Sequence, residues 1–458
     1  MKHLLLSEII KIIDGTIISK TENNPLIKNV ISKKNHRITN STLIFFPNKS
    51  RLMNKKKLKS CVIVTQRPEI FQTLNKNFTI VKVKNSEKAY KKFIEYYRNL
   101  FQIPVIGITG TCGKTTTKEM VSSILGENMR LVKTILSRNA RTRNLTYLMQ
   151  MDEQTDAAVI EVGVGFPGGI RNFASYFKPT IGVITNIGTD HMKGFKTHEA
   201  YIQEKASLIK FLNNKGTIIL NKDDEIIQTL NLTTFKGKIF YFGLCEDADI
   251  RASNIKYGEN GMSFIVHYGS QSHECSISGF GKHNVYNTLA ALAVSTSLGI
   301  EIKEAIERLK NFQHIQRHLE FHVGINNCTL IDDTWNTNSK SIESALEVLS
   351  NISNGRKTIA VLGDIEELGD LSEREHEKIG AFIKEFSINQ LVTIGKESTL
   401  IAKRAMELGM NSKDIFSIDN QTDLVSILKK ITDANSLVLI KTSMRNSFSN
   451  TLKKLIKD

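Results

Sequence analysis

The stretch Gly107-Ile108-Thr109-Gly110-Thr111-Cys112-Gly113-Lys114-Thr115-Thr116-Thr117 combines residue types and a spacing suited to holding phosphate. Glycines let backbone N–H groups turn inward around phosphate oxygens, and a helix N-terminus adds partial positive charge. Lys114 can reach the β- and γ-phosphates of a nucleotide, and the Thr115 hydroxyl can ligate Mg²⁺. The full eight-residue pattern would place glycine at position 108, where Ile stands; the shorter Gly-x-x-Gly-Lys-Thr form is intact. The plain alternative is a Gly-rich turn with a chance Lys-Thr. The apolar run Val105–Thr109 ahead and a helical stretch from Lys118 to Leu125 behind favour a phosphate loop. Gly110, Thr111, Cys112, Gly113, Lys114, Thr115 and Thr116 are therefore the candidate nucleotide cradle.

Two later stretches carry further candidates. Val159-Ile160-Glu161 puts a carboxylate at the carboxyl end of an expected strand, the edge of an open α/β sheet where ligands gather. Such a group can bind Mg²⁺ beside a nucleotide, although a strand-terminal Glu by itself more often faces water. His191 follows the strand Ile181–Ile184 through Thr185-Asn186-Ile187-Gly188, and Lys205 lies 14 residues further on, on an expected helix over 199–211. A lone His is often a core residue and a lone Lys a solvated one. Their order after a phosphate loop is what makes them informative.

These residues need rigid elements behind them. The 458 residues suggest two to four domains. Hydrophobic residues at 40% and charged residues at 24% are ordinary globular values. With 62 basic and 46 acidic residues the net charge is +16, compatible with nucleic acid, a membrane surface, an acidic small substrate or a Lys-rich coding bias. Five dispersed cysteines without a Cys-x-x-Cys pair argue against a disulfide framework or zinc ribbon and for a reducing, cytoplasmic setting. The start, Met1 to Leu6, looks briefly like a signal peptide. Ser7-Glu8 interrupts it, and an amphipathic helix is expected instead. No run of about 18 apolar residues exists to span a membrane.

Short strands and helices alternate over residues 1–102, with a helix from about Ser86 to Leu100. Strands alternating with helices over 103–313 indicate a parallel sheet, with a small antiparallel insert at 249–278. Residues 314–458 repeat the pattern as a second doubly wound unit. The expected fold is α/β in three domains: a small α/β N-terminal domain, a central phosphate-loop domain with a parallel sheet, and a C-terminal Rossmann-like domain.

With further stretches added, the chain resembles the Mur ligases, the ATP-dependent amide-forming ligases of peptidoglycan synthesis. The matching stretches are Ile184-Thr185-Asn186-Ile187-Gly188 with His191, Glu204-Lys205-Ala206, residues 281–291 beginning Gly281-Lys282-His283-Asn284, Ile331-Asp332-Asp333-Thr334-Trp335-Asn336-Thr337-Asn338, and residues 361–369 with His376. The resemblance covers about residues 104–445. It implies that ATP phosphorylates a substrate carboxylate to an acyl phosphate, which an amine then attacks. It also implies that Thr115 and Glu161 bind one Mg²⁺, that His191 helps bind a second, and that Lys205 carries a CO₂-derived carbamate. Asn284 and Asn287 match the helix start that contacts the nucleotide. Arg317 and Asp333 match C-terminal residues that reach ATP on domain closure. The implied reaction joins an amino acid or dipeptide, D-Ala-D-Ala being favoured, to an acidic UDP-muramoyl-peptide-type acceptor. The runner-up is a paralogue acting on another acidic acceptor in a specialised pathway. The expected partners are small molecules, without nucleic acid or membrane insertion, and the chain is expected to be a monomer.

Departures from the family pattern concentrate around the acceptor. Where relatives acting on UDP-sugars carry a Ser-Arg pair and an Asp-Gly-His stretch, residues 32–37 read Ser-Lys-Lys-Asn-His-Arg and Asp-Gly-His is missing, which predicts weakened uridine recognition. The family's Asn-x-Asn-Asn segment is replaced by a shorter one with Arg138, Arg141 and Arg143. These can grip a carboxylate or phosphate, or form a solvated basic loop. The late Lys-Gly-Ser-Arg motif reads Lys441-Thr442-Ser443-Met444-Arg445.

Overall fold

A computed structural model describes residues 1–21, 24–31, 38–46, 61–72, 78–212, 215–443 and 448–457. The altered Ser-Arg stretch at 32–37 and positions 444–445 of the late motif lie outside the described residues. The chain groups into two compact units. One comprises residues 1–107, 128–163 and 170–180, and the other 108–127, 164–169 and 181–458.

The N-terminal strands are β1 (Leu4–Leu5), β2 (Thr16–Ser19), β3 (Leu26–Ile27), β4 (Asn29–Ile31), β5 (Thr42–Phe45), β6 (Val62–Thr65) and β7 (Thr79–Lys82). β1 and β3 pair antiparallel. The others form a sheet of order β2-β7-β6-β5-β4, parallel except for β2. β5 and β6 are buried at every position, as strands covered on both faces must be. Ile31, Ile44, Ile63, Phe71, Phe78 and Ile80 share one core cluster. The expected amphipathic helix is Leu6–Ile13, burying Leu6, Ile9 and Ile13. The helix Ser86–Asn99 starts where the Asn85 side chain accepts from the N–H groups of Glu87 (3.0 Å) and Lys88 (2.9 Å). It buries Ala89, Phe93, Ile94 and Tyr97 on one stripe.

Nine strands form the largest sheet: β8 (Val105–Thr109), β9 (Leu131–Lys133), β10 (Ala157–Glu161), β11 (Ile181–Ile184), β12 (Thr217–Asn221), β13 (Lys238–Gly243), β14 (Ile250–Tyr257), β15 (Gly261–Tyr268) and β16 (Gln271–Ser278). Their order is β16-β15-β14-β13-β12-β11-β8-β10-β9. The expected antiparallel insert is present as β14–β16, but it does not stand apart. β14 pairs parallel with β13, so the insert extends the sheet.

The last six strands are β17 (Glu320–Val323), β18 (Thr329–Asp333), β19 (Lys357–Gly363), β20 (Gln390–Ile394), β21 (Ile415–Ile418) and β22 (Ser436–Lys441), in the order β17-β18-β22-β19-β20-β21. Only β17 is antiparallel to its neighbour. Leu330, Ile359, Val361, Val392, Val438 and Ile440 pack against Leu424, Leu428, Phe448 and Leu452 from the covering helices. Burying each such side chain contributes about 1.5–3 kcal/mol. Mixed α/β architecture with a parallel central sheet and a Rossmann-like C-terminal part is thus as expected. No helix among the described residues is long and apolar enough to cross a membrane.

Candidate functional site

The phosphate loop runs from the fully buried β8 into the helix Lys114–Gly126, so the helix starts four residues earlier than sequence periodicity predicts. Two glycines are dictated by space. Gly110 lies at φ +152°, and a Cβ there would come 1.9 Å from Thr185 Oγ1. Gly113, at φ +80°, would place a Cβ 2.2 Å from Asn287 Oδ1. Asn186 locks the loop from across the sheet. Its backbone carbonyl accepts from Thr111 N (3.0 Å), and its side chain accepts from Cys112 N (2.9 Å) and donates to Cys112 O (3.1 Å). With the N–H groups of Thr111 and Cys112 so engaged, the start of the helix is the candidate for holding an anion. Its N-cap, Gly113, contributes no side-chain partner.

Two lysines meet on this loop. Lys114 Nζ donates to the carbonyls of Gly110 (2.9 Å) and Thr111 (2.8 Å). Lys205, on the helix His198–Lys210, is fully buried, and its Nζ donates to the same Gly110 carbonyl at 2.7 Å. Its ammonium also sits 4.6 Å from the centre of the Tyr201 ring. Burial foremost, and the neighbouring Lys114 charge, hold the Lys205 amine well below its ordinary pKa. Tyr201 in turn shares a hydrogen bond with Thr111 Oγ1 at 3.2 Å.

Asn284 and Asn287 open the helix Lys282–Ser297 and are both buried. Asn287 accepts from Thr117 Oγ1 (3.3 Å) and donates to Asn284 Oδ1 (3.3 Å), and Asn284 donates to Phe280 O (2.9 Å). The pair buttresses the loop helix. Cys112 Sγ donates to Asn338 Oδ1 at 3.1 Å. Asn338 also caps the helix Ser339–Asn351 in a reciprocal capping box with Ser341. Thr115 and Thr116 occupy the first helical turn, half-buried and buried respectively.

His191 sits in the left-handed region at φ 55°. Its N–H donates to Asp190 Oδ1 (2.8 Å), its Nδ1 pairs with Glu367, and its Nε2 lies 3.8 Å from Asp190 Oδ2. Arg317 donates from Nε and Nη2 to the Thr334 hydroxyl (2.9 and 2.7 Å) and from Nη2 to the Thr334 carbonyl (2.8 Å), 5.9 Å from the Trp335 ring centre. Asp333 forms a buried ion pair with Lys441 at 2.8 Å. Glu320, His322 and Asp332 bring one ligand atom each within 4.8 Å of one another. The two carboxylates already accept from Arg317 N and from Thr334.

In the other unit, buried Glu161 ends β10 and accepts from Asn139 Nδ2 at 2.6 Å. Gly163 makes room for this, since a Cβ there would lie 2.5 Å from Asn139 Oδ1. Of the three arginines, Arg138 and Arg143 are exposed and Arg141 is half-buried, the last two on a single 3₁₀ turn. Within the same unit a cavity of about 260 Å³ is lined by Lys28, Asn29, Thr142, Thr146 and Gln150 among others, but by none of the three arginines. Asn139 and Asp190 are not picked out by sequence reasoning, and Glu367 enters it only as part of the matching stretch 361–369, with no role of its own.

A family model described as the Mur ligase middle domain matches residues 108–295, and one described as Mur ligase, glutamate ligase domain, matches residues 317–444. The UDP-N-acetylmuramoyl-tripeptide–D-alanyl-D-alanine ligase of Buchnera aphidicola subsp. Acyrthosiphon pisum is 30% identical over 406 residues, spanning 88% of this chain and 86% of that protein. The Bacillus subtilis ligase of the same name is 28% identical over 380 residues, 83% and 82% of the two chains. Among solved structures, MurF from Acinetobacter baumannii superimposes with a TM-score of 0.85 at 22% identity, covering 99% of this chain and 98% of that one. MurF from Thermotoga maritima in complex with ADP gives 0.74 at 21% identity, covering 88% and 96%.

Proposed function

This chain belongs to the Mur ligase family, and on that premise we propose that it uses ATP to join D-alanyl-D-alanine to a UDP-N-acetylmuramoyl-tripeptide in cytoplasmic peptidoglycan synthesis. Residues 1–102 are assigned to the acceptor, 103–313 to ATP and 314–458 to completing the nucleotide site. The acceptor carboxylate attacks the γ-phosphorus, the bond to the β-phosphate oxygen breaks and ADP leaves. The dipeptide amine then attacks the acyl carbonyl, and the tetrahedral intermediate expels phosphate. The amine's proton passes to phosphate or solvent, and an amide remains.

Two anions must be held in line without repelling each other. Lys114 has the reach and charge for the β- and γ-phosphates, and the helix behind it offers backbone N–H groups. Arg317 and Asp333 are the C-terminal candidates for the nucleotide. Arg138, Arg141 and Arg143 remain candidates for the acceptor. The donor set fits magnesium: the Thr115 hydroxyl and the buried Glu161 carboxylate are hard oxygen ligands, and a carboxylate so enclosed needs a cation or hydrogen bonds to stay charged. Thr115 and Glu161 would hold one ion, and His191 with modified Lys205 would serve a second. When bound, magnesium neutralises the phosphate charge that builds up during transfer.

The observation that carries this reading is the convergence of Lys114 and Lys205 on the Gly110 carbonyl. Two ammonium groups on one acceptor repel, and burial favours the neutral amine at Lys205. A neutral amine is the form that adds CO₂: its lone pair forms the N–C bond, a proton leaves, and a cation is replaced by a carbamate. That anion beside Lys114 turns repulsion into attraction and supplies oxygen ligands to a metal.

The test is product mass and phosphate release with ATP, Mg²⁺, UDP-N-acetylmuramoyl-tripeptide and D-Ala-D-Ala. Wild-type protein should form the amide with one phosphate released per bond; ATP-independent or absent ligation overturns the assignment. Lys205→Ala should be nearly inactive and partly rescued by a short aliphatic carboxylic acid. Wild-type turnover in that variant removes the carbamate. Calorimetry with the UDP-linked acceptor reads separately whether the missing Asp-Gly-His stretch weakens uridine recognition.

A further inference from the structure

Beyond the residues named so far for the reaction, His191 has a partner that neither its motif nor the family match predicts. The Glu367 carboxylate, 176 residues away in sequence, meets its Nδ1. Glu367 belongs to the turn after β19 and has φ +64°, a conformation that is uncommon for a non-glycine residue and has to be held by its surroundings. Its own backbone carbonyl is fixed as well, accepting from Lys193 N at 3.0 Å. Glu367 is thus tied to the segment of His191 twice, by its side chain to the imidazole and by its main chain to Lys193.

An imidazole whose Nδ1–H is taken by a carboxylate keeps its Nε2 lone pair free to bind a cation. Such a carboxylate also fixes the ring's orientation and raises its basicity. Here Nε2 lies towards Asp190 Oδ2, 3.8 Å away, so a cation at Nε2 has a second, buried carboxylate within reach. Two further contacts dock the same C-terminal segment on this region: Cys112 Sγ to Asn338 Oδ1 at 3.1 Å, and Lys340 Nζ to Asp224 Oδ2 at 3.6 Å.

We propose that Glu367 is a positioning residue for His191. It fixes the tautomer that presents Nε2 to a divalent cation, and so ties cation affinity to docking of the C-terminal segment. The proposal rests on the ligase reading only for the identity of the reaction. The cation-binding behaviour is measured without turnover.

The experiment uses the full chain with a saturating non-hydrolysable ATP analogue and follows Mn²⁺ by electron paramagnetic resonance. The proteins are wild type, Glu367→Ala, Glu367→Gln, His191→Ala and the double alanine variant. Loss of an outer carboxylate behind a ligating His typically costs 10- to 100-fold in metal affinity. Glu367→Ala should therefore weaken the tighter-binding Mn²⁺ by about tenfold or more and raise the Mg²⁺ concentration for half-maximal ligation in parallel, with kcat at saturating Mg²⁺ changed less. Glu367→Gln keeps an acceptor oxygen for Nδ1–H and should retain most of the affinity. In the His191→Ala background the Glu367→Ala change should add nothing. Unchanged Mn²⁺ affinity in Glu367→Ala overturns the proposal. So does an equal loss with and without His191, which marks a merely structural role. A wild type that binds Mn²⁺ and responds to Glu367→Ala but ligates nothing refutes the reaction and leaves the positioning role standing.

Discussion

The phosphate loop and the cluster around Arg317, Asp333 and Trp335 are both assigned to the nucleotide, yet they are built on opposite plans. The loop is fixed by its scaffold. Asn186 and Thr185 hold its backbone, two glycines make space, and Asn287 braces the helix behind it. Its helix N-terminus has no side-chain cap, which suits it to an anion. The Arg317 cluster satisfies itself. Arg317 is spent on Thr334, and Asp333 on Lys441. In the loop only the Lys114 side chain has to leave its carbonyl partners to reach a ligand, whereas in the cluster both Arg317 and Asp333 must exchange theirs. Preorganisation belongs to the loop and adjustability to the cluster, which is the division of labour a site needs if it closes over its substrate.

Removing the loop's charge breaks the comparison hardest. Lys114→Ala should lower ATP-dependent turnover by about 10³-fold, the scale for losing one preorganised donor at a charge-developing site. Its thermal unfolding should stay near wild type, because the side chain is half-buried on its own loop. An activity loss matched by a loss of stability would place Lys114 in the scaffold instead.

The cluster should show the reverse signature. Asp333→Ala strands the buried Lys441 ammonium, and removing one partner of a buried pair costs about 3 kcal/mol or more. Chemical denaturation should register that loss, and replacing both partners by apolar residues should recover much of it. A smaller effect follows for Gly113→Ala. A Cβ at φ +80° and 2.2 Å from Asn287 Oδ1 should destabilise by about 2 kcal/mol and weaken nucleotide binding, read by titration with ADP.

The last expected effect is one of pH and appears only in acid. Burial, the leading cause, pushes the His283 imidazole down to about 4 from 6.5. Between those values the unfolded chain takes up a proton that the folded one refuses. Stability should therefore be nearly flat above pH 6.5 and fall as pH drops towards 4, by about 2 kcal/mol at pH 5 from this group. His283→Gln should flatten that slope in urea titrations at pH 7 and pH 5; an unchanged slope removes His283 as its source.

Much of this was legible in the sequence because it is local. The phosphate loop is a contiguous run whose glycines, lysine and threonine act within a single turn, and strand and helix periodicities fixed its setting. The helices at Ser86–Asn99 and His198–Lys210 lie within a residue or so of where their apolar spacing places them. The helix after the loop did not, because Thr115, Thr116 and Thr117 are poor helix formers that tertiary packing overrides. The antiparallel insert lies where the sequence places it, but its union with the large sheet is a matter of edge pairing that periodicity cannot reveal.

The α/β class, the family and the residue types suited to phosphate and metal can be read from the sequence, because each is written in short-range spacing. Which of those residues meet is settled only by tertiary packing. Lys205 reaches Gly110 across 95 residues, Asn139 reaches Glu161 across 22, and Glu367 reaches His191 across 176. The shifted amine of Lys205 has the same origin. A pKa is set by burial and by neighbouring charge, and both exist only once distant segments have packed together.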